Sequence, residues 1–487
     1  MACTTILVGK KATYDGSTMI ARTEDLRYWA KKAVIVEAEA KPRTYTSVKS
    51  HLTIELPGDA LRCSMCPNAF SGEGVWGGSG INAANVGMTA TETITSNARV
   101  LGADPLVEYH KAEKEGEEDI SGGIGEEDMV SIVLPYVRTA REGVKRLGSL
   151  LEKYGTYEKN GIAFNDADEV WLLETIGGHH WMARRIRDDA VAILPNQLGI
   201  DYFDFEDAFG GQEYFMCSAD LMDFIEENHL NLNKDGQMNP RYVFGSRREK
   251  DLVYNTPRAW FMIRYFLRHT FPWDGPEATF TPQSDNIPFS FVPEKKVTVE
   301  DIKFLLSSHY QGTPYDPYDP AGSAEGRKYR PISVSWCAHF AVMQIRGYMP
   351  EPVRGIQWVG FGPTITGAAV PFYANVPSLP NYLSDVSEEV STENFCGQSH
   401  LLAALADPYH NELSDEVDKY QEAVLSEGHR VLCEYDRKMQ ETGDWALAVC
   451  ANEKICSACR RMTSEVLSKA LLAASKHMKN NFAQKKD

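Results

Sequence analysis

Apolar and polar positions divide the chain into strand-like and helix-like stretches. Between residues 3 and 40, TTILVG (4–9), TMIART (18–23) and AVIVEAEA (33–40) are short, β-branched runs bounded by turn residues, the pattern of strands. YDGS (14–17) between the first two carries the Asp-Gly signal of a hairpin turn. The spacing therefore predicts a hairpin that places Cys3 at the start of a buried strand. GVWGGSGINAANVGMTATETIT (74–95) predicts a turn followed by a strand, with Asn85-Val86-Gly87 as a second hairpin turn, pairing in the same sheet.

Residues 105–127 are charge-rich and read as a surface loop or short helix. After Glu126, Glu127 and Asp128 the apolar positions take helical spacing as far as Gly155, with a break around Pro135. The segments IAFNDADEVWLLETIGG, HHWMARRIRDD and AVAILPNQLGIDYF then alternate apolar runs with turns, which predicts further strands. A Pro-rich connection spans 275–295, more strands follow around ITGAAVPFYANVPS, and from about 385 the pattern is helical. No internal repeat interrupts this order. Strands, helices, strands and helices in succession favour an α+β or layered αββα arrangement over a parallel sheet. The expected division is a core over 1–384 and a helical extension over 385–487.

Composition narrows the functional classes. Of 487 residues, 43% are hydrophobic and 24% charged, the balance of a globular chain. Fifty Lys+Arg against 68 Asp+Glu give a formal charge of −18, which repels phosphate backbones and anionic lipid. Neither a nucleic acid nor a membrane is expected as a partner, since no apolar stretch approaches the roughly 18 residues of a span. Two residues before Cys3 are too few for a signal peptide, so a cytoplasmic chain with reduced thiols is expected. Ten cysteines include two CxxC pairs, Cys63/Cys66 and Cys456/Cys459, each with the spacing of half a zinc site. The second pair lies in a helix-like segment, and small buried residues explain both pairs more simply.

Other patterns lack their structural context. Gly72-Glu73-Gly74-Val75-Trp76-Gly77 matches a dinucleotide fingerprint literally, yet a strand pattern rather than a helix follows it. His179-His180 would point to opposite faces if both lay in a strand. The acidic residues of 116–128 lack the ligand spacing of a calcium loop. No metal or cofactor is expected.

Cys3 is different. A cysteine that becomes the first residue of a chain carries a thiol and an α-amine, with ordinary pKa values of about 8.5 and about 7.7–8.0. Such a residue supplies both nucleophile and general base. Arg22, followed by Asp25 at the end of the second predicted strand, is placed to lie across the hairpin from Cys3 and to favour its thiolate.

The opening CTTILVGKKATYDGSTMIARTED resembles that of PepD-type cysteine dipeptidases, N-terminal nucleophile hydrolases related to bile salt hydrolase and penicillin V acylase. GINAANVGMTATET, EEDMVSIVLPYVRTAREGVKRLGSLLEKYG, ADEVWLLETIGGHHWMARRIRDDAVAILPNQLGID, YNTPRAW and the FYANV around Tyr373 resemble further segments of that family in the same order. The resemblance implies a four-layer αββα sandwich and hydrolysis of small peptides without a cofactor. It also implies that Cys3 is the nucleophile, that Arg22 and Asp25 flank it and that Asn196 helps hold the oxyanion. A second arginine is expected at Arg247, with Arg241 and Arg258 as rivals. Glu92 or Thr93 supplies a further polar group at the substrate, where Asp25 would also meet the substrate ammonium.

One departure concerns Ala2, which stands between Met1 and Cys3. It is a one-residue propeptide, an added residue or part of an unprocessed precursor. Two rival readings are an amidase acting on N-acyl amino acids or conjugated bile salts, and a non-catalytic zinc-stabilised or scaffolding protein. The C-terminal helices would either pack on the core or form a subunit interface, which allows a homo-oligomer.

Overall fold

The N-terminal runs form the antiparallel hairpin that their spacing predicts. In the computed structural model, which describes residues 2–26, 30–70, 72–90, 92–114, 116–246, 248–389 and 391–479, β1 (Ala2–Val8) pairs with β2 (Thr18–Asp25). Gly16 takes φ 82° in the turn, a conformation that disfavours a side chain, while Asp15 Oδ1 accepts from the Ser17 N–H and hydroxyl.

Four short strands follow in two separate pairs, β3 (Val34–Val36) with β6 (Cys63–Met65) and β4 (Arg43–Thr46) with β5 (Thr53–Leu56). The remaining strands are β7 (Ser79–Ile81), β8 (Gly87–Thr89), β9 (Glu92–Thr93), β10 (Asn160–Asn165), β11 (Val170–Ile176) and β12 (His180–Ile186). They continue with β13 (Val191–Pro195), β14 (Phe215–Cys217), β15 (Ser290–Phe291), β16 (Cys337–Ile345), β17 (Gly355–Phe361) and β18 (Val370–Tyr373).

Two antiparallel sheets result. The first runs β15-β13-β1-β2-β16-β17-β18, and the second runs β14-β12-β11-β10-β8-β7, with β9 also paired to β10. The sheets face each other, with β2 against β8, β10 and β11 and β16 against β7 and β8. Helix Ala140–Tyr154 covers the outer side of the second sheet through β10, β11 and β12. Helices Thr256–Phe266, Phe395–Ala406, His410–Thr442 and Leu447–Lys476 cover the first sheet through β13, β17 and β18. This is a four-layer αββα sandwich. Because β1 and β2 are covered on both faces, their described side chains are buried without polar alternation.

The break predicted near Pro135 is present. Helix Glu126–Val133 passes into a 3₁₀ turn at Leu134–Tyr136 before the next helix starts on a Thr139 cap and ends at Gly155, φ 68°. Two expectations need correction. The 74–95 segment pairs with β10 in the second sheet, not with the N-terminal hairpin, because its apolar pattern fixes strand type but not the long-range partner. His179 and His180 do not diverge: His179 precedes β12, so strand alternation does not reach it, and both Nδ1 atoms meet Asp104, at 2.9 and 2.7 Å. Both CxxC pairs are buried, and among the described residues no group of three or more His, Cys, Asp or Glu could hold a metal ion.

Candidate active site

Strand register assembles the site around Cys3. β1 lies between β2 and β13, with Cys3 opposite Glu24, Thr5 opposite Arg22 and Thr4 opposite Pro195. Pleating therefore puts Cys3, Thr5, Arg22 and Glu24 on the face toward the second sheet, and Thr4 and Asp25 on the other. The Thr4–Pro195 pairing also brings Asn196, the residue after β13, beside Cys3.

Arg22 is fully buried and each of its guanidinium nitrogens has a partner. Nη2 lies 3.3 Å from Cys3 Sγ and 3.0 Å from Glu126 Oε1, Nη1 donates to Gly78 O at 3.0 Å, and Nε donates to Thr23 O. Gly78 has φ 68°, and a Cβ there would come within 2.8 Å of Cys66 O. Gly78, directly after the run that mimics a dinucleotide motif, thus lets its backbone carbonyl reach Arg22. Burial opposes the Arg22 charge, but Cys3, Glu126 and Glu24 outweigh it and hold its pKa above the usual range. Burial pushes the Cys3 thiol strongly up while Arg22 pulls it back, with Glu92, Glu126 and Asp25 adding to the rise.

On the other side, Asn196 Oδ1 accepts from the Cys3 N–H at 3.1 Å and from Arg258 Nη2 at 2.7 Å, and its Nδ2 donates to Thr93 O at 2.9 Å. Arg258 projects from helix Thr256–Phe266, where Pro257 is compatible with the first turn. It donates to Tyr254 O, Cys3 O, the Thr4 hydroxyl, Asn196 Oδ1 and Asn255 Oδ1, which engages all five of its N–H donors. Burial, with Arg330 nearby, lowers Arg258 to about 10. Arg258 is a buckle joining β1, Asn196 and its own helix. Of the other arginines expected here, Arg241 bonds the carbonyls of Gly199, Asp285 and Ile287, and Arg247 lies outside the described residues.

Asp25 does not meet Arg22, because residues three apart in a strand face opposite ways. Its Oδ2 meets Arg330 Nη2, from the segment before β16, and burial raises its pKa despite Arg330 and Arg258. Glu92 is close to Cys3, with Oε2 accepting from the Thr5 hydroxyl at 3.0 Å and Oε1 without a partner among the described residues. Burial lifts it to about 8 against the pull of Arg258 and Arg22. Thr93 enters through its backbone carbonyl.

Glu126, Asn255 and Arg330 were not anticipated. The acidic run 126–128 looks like dipole-complementing charge at a helix start, yet all three side chains are buried. Glu127 grips Ser47 Oγ and the N–H groups of Val48 and Lys49, and Asp128 accepts from Tyr45 OH and Gly125 N. Three consecutive acids just before an apolar run at Met129 were the available signal.

A model of peptidase family C69 matches residues 2–423. A dipeptidase of Bifidobacterium longum (strain NCC 2705) is 53% identical over 91% of this chain and 84% of its own length. A probable dipeptidase A of Streptococcus pyogenes serotype M3 is 45% identical over 99% of both chains, and dipeptidase A of Lactobacillus helveticus is 41% identical over 96% of this chain and 95% of its own length. Among solved structures, a penicillin V acylase from Agrobacterium tumefaciens is 12% identical, covers 76% of this chain and 86% of its own, and has a TM-score of 0.32, too distant to carry an argument.

Proposed function

We propose that this chain, which belongs to peptidase family C69, hydrolyses dipeptides to free amino acids with Cys3 as its nucleophile. The observation that carries the reading is that both functional groups of one residue are held. The Cys3 thiol is 3.3 Å from Arg22 Nη2, and its nitrogen is 3.1 Å from Asn196 Oδ1. The dipeptidase names of its relatives support the substrate class.

The mechanism requires cleavage of the Ala2–Cys3 bond, which turns the Cys3 nitrogen into an α-amine. That amine takes the thiol proton, directly or through water, and Arg22 stabilises the thiolate. Sulfur attacks the peptide carbonyl while Asn196 and a backbone N–H steady the oxyanion, a contribution of about 3–4 kcal/mol when preorganised. The amine returns its proton to the departing amino group, leaving a thioester. Water, activated by the same amine, then cleaves that thioester and restores the thiol.

A dipeptide brings an ammonium and a carboxylate into the site. Glu92, on the face that carries Cys3, is the acid for the ammonium, whose charge would draw it into its ionised form, whereas Asp25 lies on the opposite face and is paired with Arg330. With Arg258 fully engaged, the carboxylate is assigned to Arg330, which also donates to Asp25 and to Pro331 O and carries five N–H donors in all. We place the enzyme in the cytoplasm, where the ten free thiols would persist, and read 385–487 as an extension of the catalytic core that could support a homo-oligomer.

The test compares turnover of Ala-Ala and an N-acyl amino acid by the purified protein and by Cys3→Ala. The reading expects preference for the dipeptide and a loss of about a thousandfold or more on substitution. Preference for the acyl substrate, or activity that survives Cys3→Ala, contradicts it.

A further inference from the structure

Glu126 reaches the thiol only through Arg22. Its Oε1 and Cys3 Sγ share the same nitrogen, Arg22 Nη2, at 3.0 and 3.3 Å. The two acceptors come from different layers, Cys3 from a strand of the first sheet and Glu126 from the helix that starts at residue 126. That helix start is fixed in turn: the Glu126 N–H donates to Glu158 Oε2 at 3.1 Å, and the next two acids anchor the segment around 45–49. Glu126 therefore has little freedom to follow Arg22 if the guanidinium moves.

We propose that Glu126 is a positioning residue for the reaction, holding Arg22 against Cys3 and, by its negative charge, setting how strongly that arginine draws out the thiolate.

The charges around this triad define the effect. Arg22 faces Cys3, Glu126 and Glu24, and Glu24 is paired with Lys31 at 2.8 Å and lies near His339. Glu126 faces Arg22, Glu24 and Glu158, while Cys3 faces Arg22, Glu92, Glu126 and Asp25. Burial raises Glu126 although Arg22 opposes this. An ionised Glu126 divides the field of Arg22 between two acceptors, so removing its charge leaves more of that field to the sulfur. Shortening the side chain withdraws the anchor and leaves the charge.

Glu126→Gln and Glu126→Asp separate these contributions. The proposal rests on Cys3 as the nucleophile, which the Cys3→Ala assay tests on its own. The readout here is independent of turnover: the pH dependence of iodoacetamide alkylation at Cys3, followed by the mass of the peptide that carries it. Glu126→Gln should move the alkylation midpoint down by about one pH unit. Glu126→Asp keeps the charge but no longer holds Arg22 at full reach of the sulfur, so it should move the midpoint up rather than down and lower kcat for a dipeptide by about tenfold, with KM little changed. Coincident profiles for parent and Glu126→Gln, or an upward shift, overturn the charge role. If Glu126→Gln does not fold, Glu126→Asp still decides the positioning role, since unchanged kcat contradicts it.

Discussion

The charges around Cys3 and those along helix His410–Thr442 use the same residue types in opposite surroundings. At Cys3, Arg22, Arg258, Arg330, Lys31, Glu24, Glu92, Glu126 and Asp25 are all buried. On the helix, Arg430 pairs with Glu427 and Glu434, and Glu434 also meets Lys438 and Lys454, in contact with water. The exposed ladder can lose a member and rehydrate. The buried cluster cannot, since each orphaned charge would remain in a low-dielectric interior. Burial makes the site costly to alter, and it also makes its geometry definite: a fully engaged guanidinium has one place to be.

Arg258 gives the largest test of this contrast. Arg258→Lys replaces a planar five-donor fork with a point charge that cannot reach the Cys3, Thr4, Asn196, Asn255 and Tyr254 acceptors together. Chemical denaturation should show a loss of about 3–5 kcal/mol, and dipeptide turnover should fall with it. A variant with parental stability and turnover would mean that the buckle is dispensable.

Glu92 tests burial more selectively. Its carboxyl remains protonated in the folded chain up to about 8, whereas in the unfolded chain it ionises near about 4.3. Between those values the folded state binds more protons, so the stability this group contributes is complete at low pH and declines as pH rises. Glu92→Gln removes that decline. The variant's melting temperature, relative to the parent, should therefore be higher at pH 9 than at pH 5, and an equal difference at both values would contradict the burial argument.

Glu434 should have the smallest effect although it has several ion-pair partners. Glu434→Gln is expected to leave the melting temperature within about 1 °C, because solvent replaces the lost pairs. A large drop would erase the distinction between the two regions.

What the sequence disclosed follows the same division between local and distant contacts. The hairpin could be read because Asp15-Gly16 and the flanking apolar runs are neighbours, and the kinked helix because Pro135 and Gly155 act locally. The chemistry of a near-terminal cysteine pointed to Cys3, and family resemblance singled out Arg22 and Asn196, which the fold brings to Cys3. Arg258 was one of three candidates: TPRAWFMIRYF shows a polar residue on an apolar helix, and nothing local says that its five donors meet β1 and Asn196. Glu126 looks like a helix-start charge because its partner, Arg22, is more than a hundred residues away along the chain. The assignment of β7 and β8 to the second sheet was hidden for the same reason, since periodicity specifies a strand and not its neighbour.

Whether one residue supplies both nucleophile and base is read from the mass of the N-terminal peptide of freshly purified, active protein. The expected chain starts at Cys3, with its α-amine released. Met1 or Ala2 retained in protein that still cleaves dipeptides would contradict it, because the Cys3 nitrogen would then be an amide and another group would have to take the thiol proton.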